Sequence, residues 1–232
     1  MIDFTQAVWV PSAPTDGHRR VCARHHAATR LTVLTTGDQE GSARLCVNAA
    51  IGYADENTDV TARALLNGAI RRASQALSRR QQVAAAVAIT IHRQQAHIAH
   101  LGDAQAWHLH RSRLTRLTTP HTVETAMHRK QQPLPVSASI YSTMLNRGLG
   151  SREDQPEYQE PLPLHTGDWL LLCGGEVTQR LNPLQLHEAL ASGRGPDAMC
   201  THLAEQAVHS GDPSTIVLSA IQIGIPRPAR GR

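Results

Sequence analysis

Apolar residues recur along this chain with two different periods, and the places where the period changes mark out its elements. Residues 7–10 and 31–34 are short runs rich in apolar and β-branched side chains, which predicts two early strands. Between them Pro11, Pro14 and Asp16-Gly17 supply turn chemistry. The pattern turns helical over residues 42–54. A second helix is predicted to open near Asn57, as its cap, with Asp59 in the first turn. Leu65, Leu66, Ala69, Ile70, Ala73 and Leu77 then recur three and four residues apart, so one face of that helix is apolar.

Period two takes over at Val83, Ala85, Val87, Ile89 and Ile91. Arg93-Gln94-Gln95 turns the chain. Residues 96–101 and 104–110 read as the next strands, joined through Gly102-Asp103, and 111–113 turn into 114–117. This is an antiparallel meander. Residues 119–143 and 150–165 carry prolines and few periodic apolar positions, and read as loops. Gly167-Asp168 leads into the most apolar strand, 169–173. Asn182 and Pro183 form a helix start, another helix runs from Pro196 to Ser210-Gly211, and a strand over 215–223 closes the order. Strands and helices are segregated, which argues for an α+β fold of antiparallel sheets covered by helices, in one domain over 1–225. The remaining 226–232 form a basic tail expected to be disordered.

Composition removes several function classes. Aromatics make up 3% of the chain and Phe4 is the only phenylalanine. The net charge is +4 and the arginine pairs are scattered, so a stacking, basic nucleic-acid surface is not expected. No stretch of 18 apolar residues occurs, which argues against a membrane span. Met1-Ile2-Asp3-Phe4 holds an early acid rather than a basic, then apolar leader, so a cytoplasmic protein is expected. The cysteines, Cys22, Cys46, Cys173 and Cys200, form no CxxC pair and read as small buried hydrophobes. His97, His100, His108 and His110 fall on the middle strands, where edge or surface positions are expected. No phosphate-cradling glycine loop and no GxSxG elbow is present.

Several ordered pieces carry a family resemblance. Leu101-Gly102-Asp103-Ala104-Gln105-Ala106-Trp107 resembles the V-G-D-S-R-A-Y hairpin of the metal-dependent serine/threonine protein phosphatases of type 2C, in their bacterial form. Leu114-Thr115-Arg116-Leu117-Thr118 fits the strand that follows, and Thr119-Pro120-His121 is similar to R-D-H. Leu145-Asn146-Arg147-Gly148-Leu149-Gly150 resembles L-T-R-A-L-G. The stretch from Leu164 to Cys173 resembles L-x-x-G-D-x-L-L-L-C, which runs on into S-D-G-L in the family. Gly211-Asp212-Pro213-Ser214-Thr215-Ile216-Val217 resembles D-N-I-T-V.

The resemblance implies a sandwich of two antiparallel sheets flanked by helix pairs, with two manganese or magnesium ions at one edge that activate a water against a phosphoserine or phosphothreonine ester. The acids that would hold those ions are mostly replaced. The family's Glu and Asp after the first strand fall on His25 and His26. The next Asp falls on Thr36, with its glycine kept as Gly37, and the S-D-G-L acid falls on Gly175. Asp212 survives. The resemblance therefore implies a pseudophosphatase with no catalytic residue and no metal cofactor expected. It would bind a phosphoprotein or a kinase-pathway component, with Arg19, Arg20 and Arg24 as phosphate-contacting candidates. Two alternatives stay open. One is an active, divergent phosphatase whose manganese or magnesium site is rebuilt from Asp38, Glu40, Glu176 and Asp212; the other is a structural subunit of a secretion or signalling complex.

Overall fold

The computed structural model describes residues 3–10, 20–37, 39, 41–133, 138–152, 154–209 and 215–224. The strands are β1 (Asp3–Trp9), β2 (Val21–His26), β3 (Leu31–Gly37), β4 (Ala84–His92), β5 (Gln95–Leu101), β6 (Gln105–His110), β7 (Arg113–Arg116), β8 (Glu157–Tyr158), β9 (Leu162–Pro163), β10 (Trp169–Cys173) and β11 (Leu218–Gly224). The α-helices are α1 (Ser42–Glu56), α2 (Ala62–Ser78), α3 (Val123–Arg129), α4 (Gly175–Arg180), α5 (Pro183–Ala191) and α6 (Pro196–Val208), and a 3-10 turn covers Ala138–Ser142. One sheet has the order β1-β11-β10-β6-β7, the other β2-β3-β4-β5-β8 with β9 also on β5. Every pairing is antiparallel. No helix among the described residues is long and apolar enough to cross a membrane.

Three apolar clusters define the layers. Val21, Leu34, Val87, Ile89, Leu170 and Leu172 meet between the sheets. Leu31, Val33, Leu66, Ile70 and Leu77 join α1 and α2 to the outer face of the second sheet. Leu171, Leu186, Met199 and Leu203 join α5 and α6 to the outer face of the first. The order of layers is helix, sheet, sheet, helix, and the α+β sandwich follows from that. β4 is buried on both faces, which the alternation alone did not imply. Its odd residues face the other sheet, and its even ones, Ala84, Ala86 and Ala88, face the helices. Alanine keeps the helix side shallow, so the pattern reads as half-polar in sequence although no face meets water.

Some boundaries differ from expectation. α1 runs two residues longer, and Asn57 terminates it rather than starting the next helix. The cap of α2 is Thr61, whose hydroxyl accepts the Ala64 N–H. Residues 119–143 contain α3 and the 3-10 turn, so they are only partly loop. The short α4 opens on glycines with no side-chain cap, the signal that would have announced it. Asn182 behaves as read. It accepts the Gln185 N–H at 3.0 Å while the Gln185 amide oxygen accepts the Asn182 N–H at 2.9 Å, a reciprocal capping box. Asn182→Ala is expected to cost about 1 kcal/mol in urea unfolding, because α5 loses that cap. Three of the four cysteines (Cys46, Cys173 and Cys200) are buried and none of the four forms a disulfide; burial pushes the Cys46 and Cys200 thiols up to about 12, so neither is a nucleophile at neutral pH.

Candidate functional site

The two sheets open at one edge, where the end of β3, the turn between β5 and β6 and the end of β10 converge. Thr36 faces Gly174 there: a methyl built on Gly174 would stand 2.8 Å from the Thr36 methyl. Next to it, a methyl on Gly175 would stand 2.1 Å from a carboxylate oxygen of Asp103. A side chain at 175 therefore requires Asp103 to move aside. A pocket of about 280 Å³ opens here, with Asp103, Gly175 and Thr178 on its floor and Arg116 and Glu124 on its walls.

The turn that presents Asp103 is clamped from behind. Gly102 donates its N–H to His121 Nδ1 at 3.1 Å, and His121 donates its own N–H to the Gly102 carbonyl at 2.9 Å. The Gly102 N–H occupies the lone pair on Nδ1, so the ring proton sits on Nε2, which donates to Glu157 at 2.9 Å. His100 stacks on His121 at 4.6 Å between ring centroids and bonds the Thr119 carbonyl through Nε2. Both histidines are buried, contrary to the surface position expected for His100. Burial depresses them, His100 to about 4, so both are neutral at pH 7. Their partner Glu157 lies 36 residues from His121, too far along the chain for the sequence to have linked them.

Asp103 has the reverse problem. Burial pushes its carboxyl up, partly offset by a backbone hydrogen bond, and nearby Glu176 pushes it further, to about 6. Glu176 itself donates no help to a cation at this edge, because it accepts a bond from Arg180 at 3.0 Å on the same helix.

The structure brings together some of the sequence-selected residues. Thr36, Gly37 and Gly175 lie at this edge, and Arg20 joins them through its carbonyl, which accepts the Gly37 N–H at 2.7 Å. His25 and His26 do not. Thr36 pairs with Val21, whereas His25 and His26 pair with Thr32 and Leu31, four and five residues further along β2 or roughly 13–17 Å at the strand rise. His26 bonds Thr29 and Asp55, and His25 bonds Thr32, so both belong to the far end of the hairpin. The residues across from Thr36 and Gly37 are Val21 and Arg20. Arg24 turns to α1 and bonds Asn48 at 3.0 Å, away from the edge. Arg19, Asp38, Glu40 and Asp212 lie outside the described residues. Sequence reasoning missed Arg116 and Glu124, which only the β6–β7 pairing and α3 carry to the pocket.

A hard divalent pair needs several anionic oxygens converging on one place. Among the described residues this edge offers the Asp103 carboxylate, held above its ordinary range, the Glu124 carboxylate on α3, a threonine and two glycines, with Glu176 committed to an arginine. Those groups do not fit a two-ion cage.

No protein-family model and no curated protein matches the sequence. Solved structures match closely in shape. The catalytic domain of the serine/threonine protein phosphatase PstP, in complex with two manganese ions, superposes with a TM-score of 0.81 at 18% identity over 97% of this chain and 100% of that one. Stp1, a serine/threonine phosphatase of Staphylococcus aureus, gives 0.77 at 13% identity over 98% and 96%. PppA, described as a key regulatory component of T6SS in Pseudomonas aeruginosa, gives 0.74 at 17% identity over 95% and 97%. The chain has the fold of the type 2C serine/threonine phosphatases.

Proposed function

We propose that this phosphatase-2C fold acts as a catalytically impaired, protein-binding module in serine/threonine phosphorylation signalling. The observation that carries the reading is the pair Thr36 and Gly175 at the sandwich edge, with the Asp103 carboxylate in the space a side chain at 175 would need. Among the described residues, the raised Asp103 carboxylate has no unpaired acid at positions 36 or 175 to share paired ions or a water between them. What the edge retains is shape: a pocket lined by Arg116, with Arg20 on the strand beside Gly37, suited to a phosphorylated loop of a partner protein.

Hydrolysis of p-nitrophenyl phosphate and of a phosphothreonine peptide, measured with added manganese, tests it. The expected result is no turnover above manganese alone. Turnover abolished by Asp212→Ala would overturn the proposal in favour of a site rebuilt from Asp38, Glu40, Glu176 and Asp212. Phosphopeptide retention, lowered by Arg20→Ala or Arg116→Ala, supports the phosphoprotein partner. A purely structural place in an assembly, the reading that the likeness to PppA makes concrete, has partner binding that ignores both arginine substitutions.

A further inference from the structure

The structure assigns a metal-binding site, independent of the phosphatase-like edge, to the far end of the sandwich: one zinc-class divalent ion held by His108, His110 and Asp168, with His165 as fourth ligand. β6 runs away from the Asp103 turn, and His108 lies five residues along it, roughly 17 Å from that edge. His108 and His110 are two apart on the strand and so share a face, the one that Ala104 and Ala106 bury between the sheets. Asp168 opens β10 from the neighbouring strand and projects into the same space. Its Oδ2 is 3.0 Å from His108 Nε2, and its Oδ1 is 2.7 Å from His110 Nδ1. The three ligand atoms all lie within 4.8 Å of one another. Ligands around a tetrahedral zinc stand about 3.4 Å apart, so an ion that replaces the ring protons needs the two His–Asp pairs, at 3.0 and 2.7 Å, to open by a few tenths of an ångström. His165 follows from the turn: its N–H donates to Asp168 Oδ2 at 2.9 Å, its Nδ1 stands 3.7 Å from that oxygen, and its ring lies 4.9 Å from the His110 ring.

Two features separate this cluster from ordinary polar packing. Asp168 is 1% exposed, and its ion-pair partners among the described residues are histidines alone, with no lysine or arginine. A buried carboxylate needs compensating positive charge, and no lysine or arginine among the described residues gives it a permanent one. A divalent ion does. The second feature is the free choice of ring proton. In the other histidine cluster, a backbone N–H occupies His121 Nδ1 and forces the proton onto Nε2, which denies that nitrogen to a metal. Here the nitrogens of His108 and His110 that face the centre have the carboxylate as their described partner. Each proton can shift to the other ring nitrogen and leave its lone pair for an ion. Three imidazoles and a carboxylate suit zinc, cobalt or nickel over manganese or magnesium. Four protein ligands close the coordination sphere, so the ion would act as a staple between β6 and the turn before β10 rather than as a catalyst.

The test is calorimetric titration of the full chain, stripped with a chelator, with zinc alone. One ion per chain is expected, with a rise in thermal midpoint. Cobalt in its place should give the intense visible bands of tetrahedral coordination. His165→Gln sits at an exposed position and should lower zinc affinity at least about tenfold while leaving the metal-free melting unchanged; His110→Gln, half-buried and bonded to Asp168, should lower the affinity as much, with some loss of metal-free stability. His202→Gln, on α6, is the control for the chain's other histidines and should change nothing. Zinc uptake that is equal in the wild-type chain and in His110→Gln, or cobalt spectra of octahedral type, would overturn the site. Neither result bears on manganese-dependent hydrolysis at the opposite edge.

Discussion

Gly102→Ala is expected to destabilise the protein by about 3 kcal/mol, a fall of roughly 6–12 °C in midpoint for a chain of this size. Gly102 has φ +91, where an L side chain is strained by about 1 kcal/mol or more. The added methyl would also stand 2.4 Å from the Ala85 methyl and 2.7 Å from the Ala85 Cα, and a backbone atom in a central strand cannot step back. Gly167→Ala separates the two contributions. It has φ +92 with open space around it, so only the conformational strain applies and about 1 kcal/mol is expected. Urea unfolding of both variants reads the difference. Similar losses in the two would mean that the tight approach of the turn to β4 contributes nothing.

Asp103→Asn should do the reverse and stabilise the protein, by about 3 kcal/mol at pH 8. Burial raises the folded carboxyl from 3.8 to about 6. Below the unfolded value both states hold the proton and the group costs nothing. As pH rises from 3.8 towards 6 the unfolded chain ionises first, so stability is lost across that window and stays lost above it. Asparagine removes the titration, so its advantage should vanish near pH 3 and grow to a plateau past pH 7. The same variant reports on the edge as a metal site. A manganese pair beside Asp103 would pull the carboxyl back down, and Asp103→Asn would then destabilise the protein in saturating manganese. Under the proposed reading of an incomplete cage, manganese should leave the advantage of the asparagine intact.

Much of the frame was legible because local chemistry and tertiary packing agree in it. Asn182 and Pro183 start α5, the stripe from Leu65 to Leu77 is the buried face of α2, and the alternation of Val87, Ile89 and Ile91 is the inter-sheet face of β4. Where two residues could do the same job, sequence chose the wrong one: Asn57 and Thr61 are both able caps, and only the length of α1 decides that Asn57 ends a helix. The acids proved harder still. Counting from motifs placed the family's carboxylates on His25 and His26, but the β2–β3 register depends on the turn over residues 27–30, where Arg30 takes φ +51. A shift of a few residues in that turn carries a side chain from one end of the sheet to the other. His100 and His108 read as surface residues because a polar residue in an alternating strand usually faces water. Glu157 and Asp168, which make their burial tolerable, are 57 and 60 positions away.

β11 lies between β1 and β10, so an interior strand of one sheet is the last described strand along the chain. Until it arrives, β1 has no neighbour and β10 has a bare hydrogen-bonding side. Asp3 pairs with Gly224, a separation of 221 residues (224 − 3), and closing so long a loop places this sheet late on any folding route. During synthesis the sheet must therefore wait, half built and prone to pairing with another copy, for a strand still inside the ribosome. A nonsense codon ahead of residue 218 would remove the keystone rather than trim an edge.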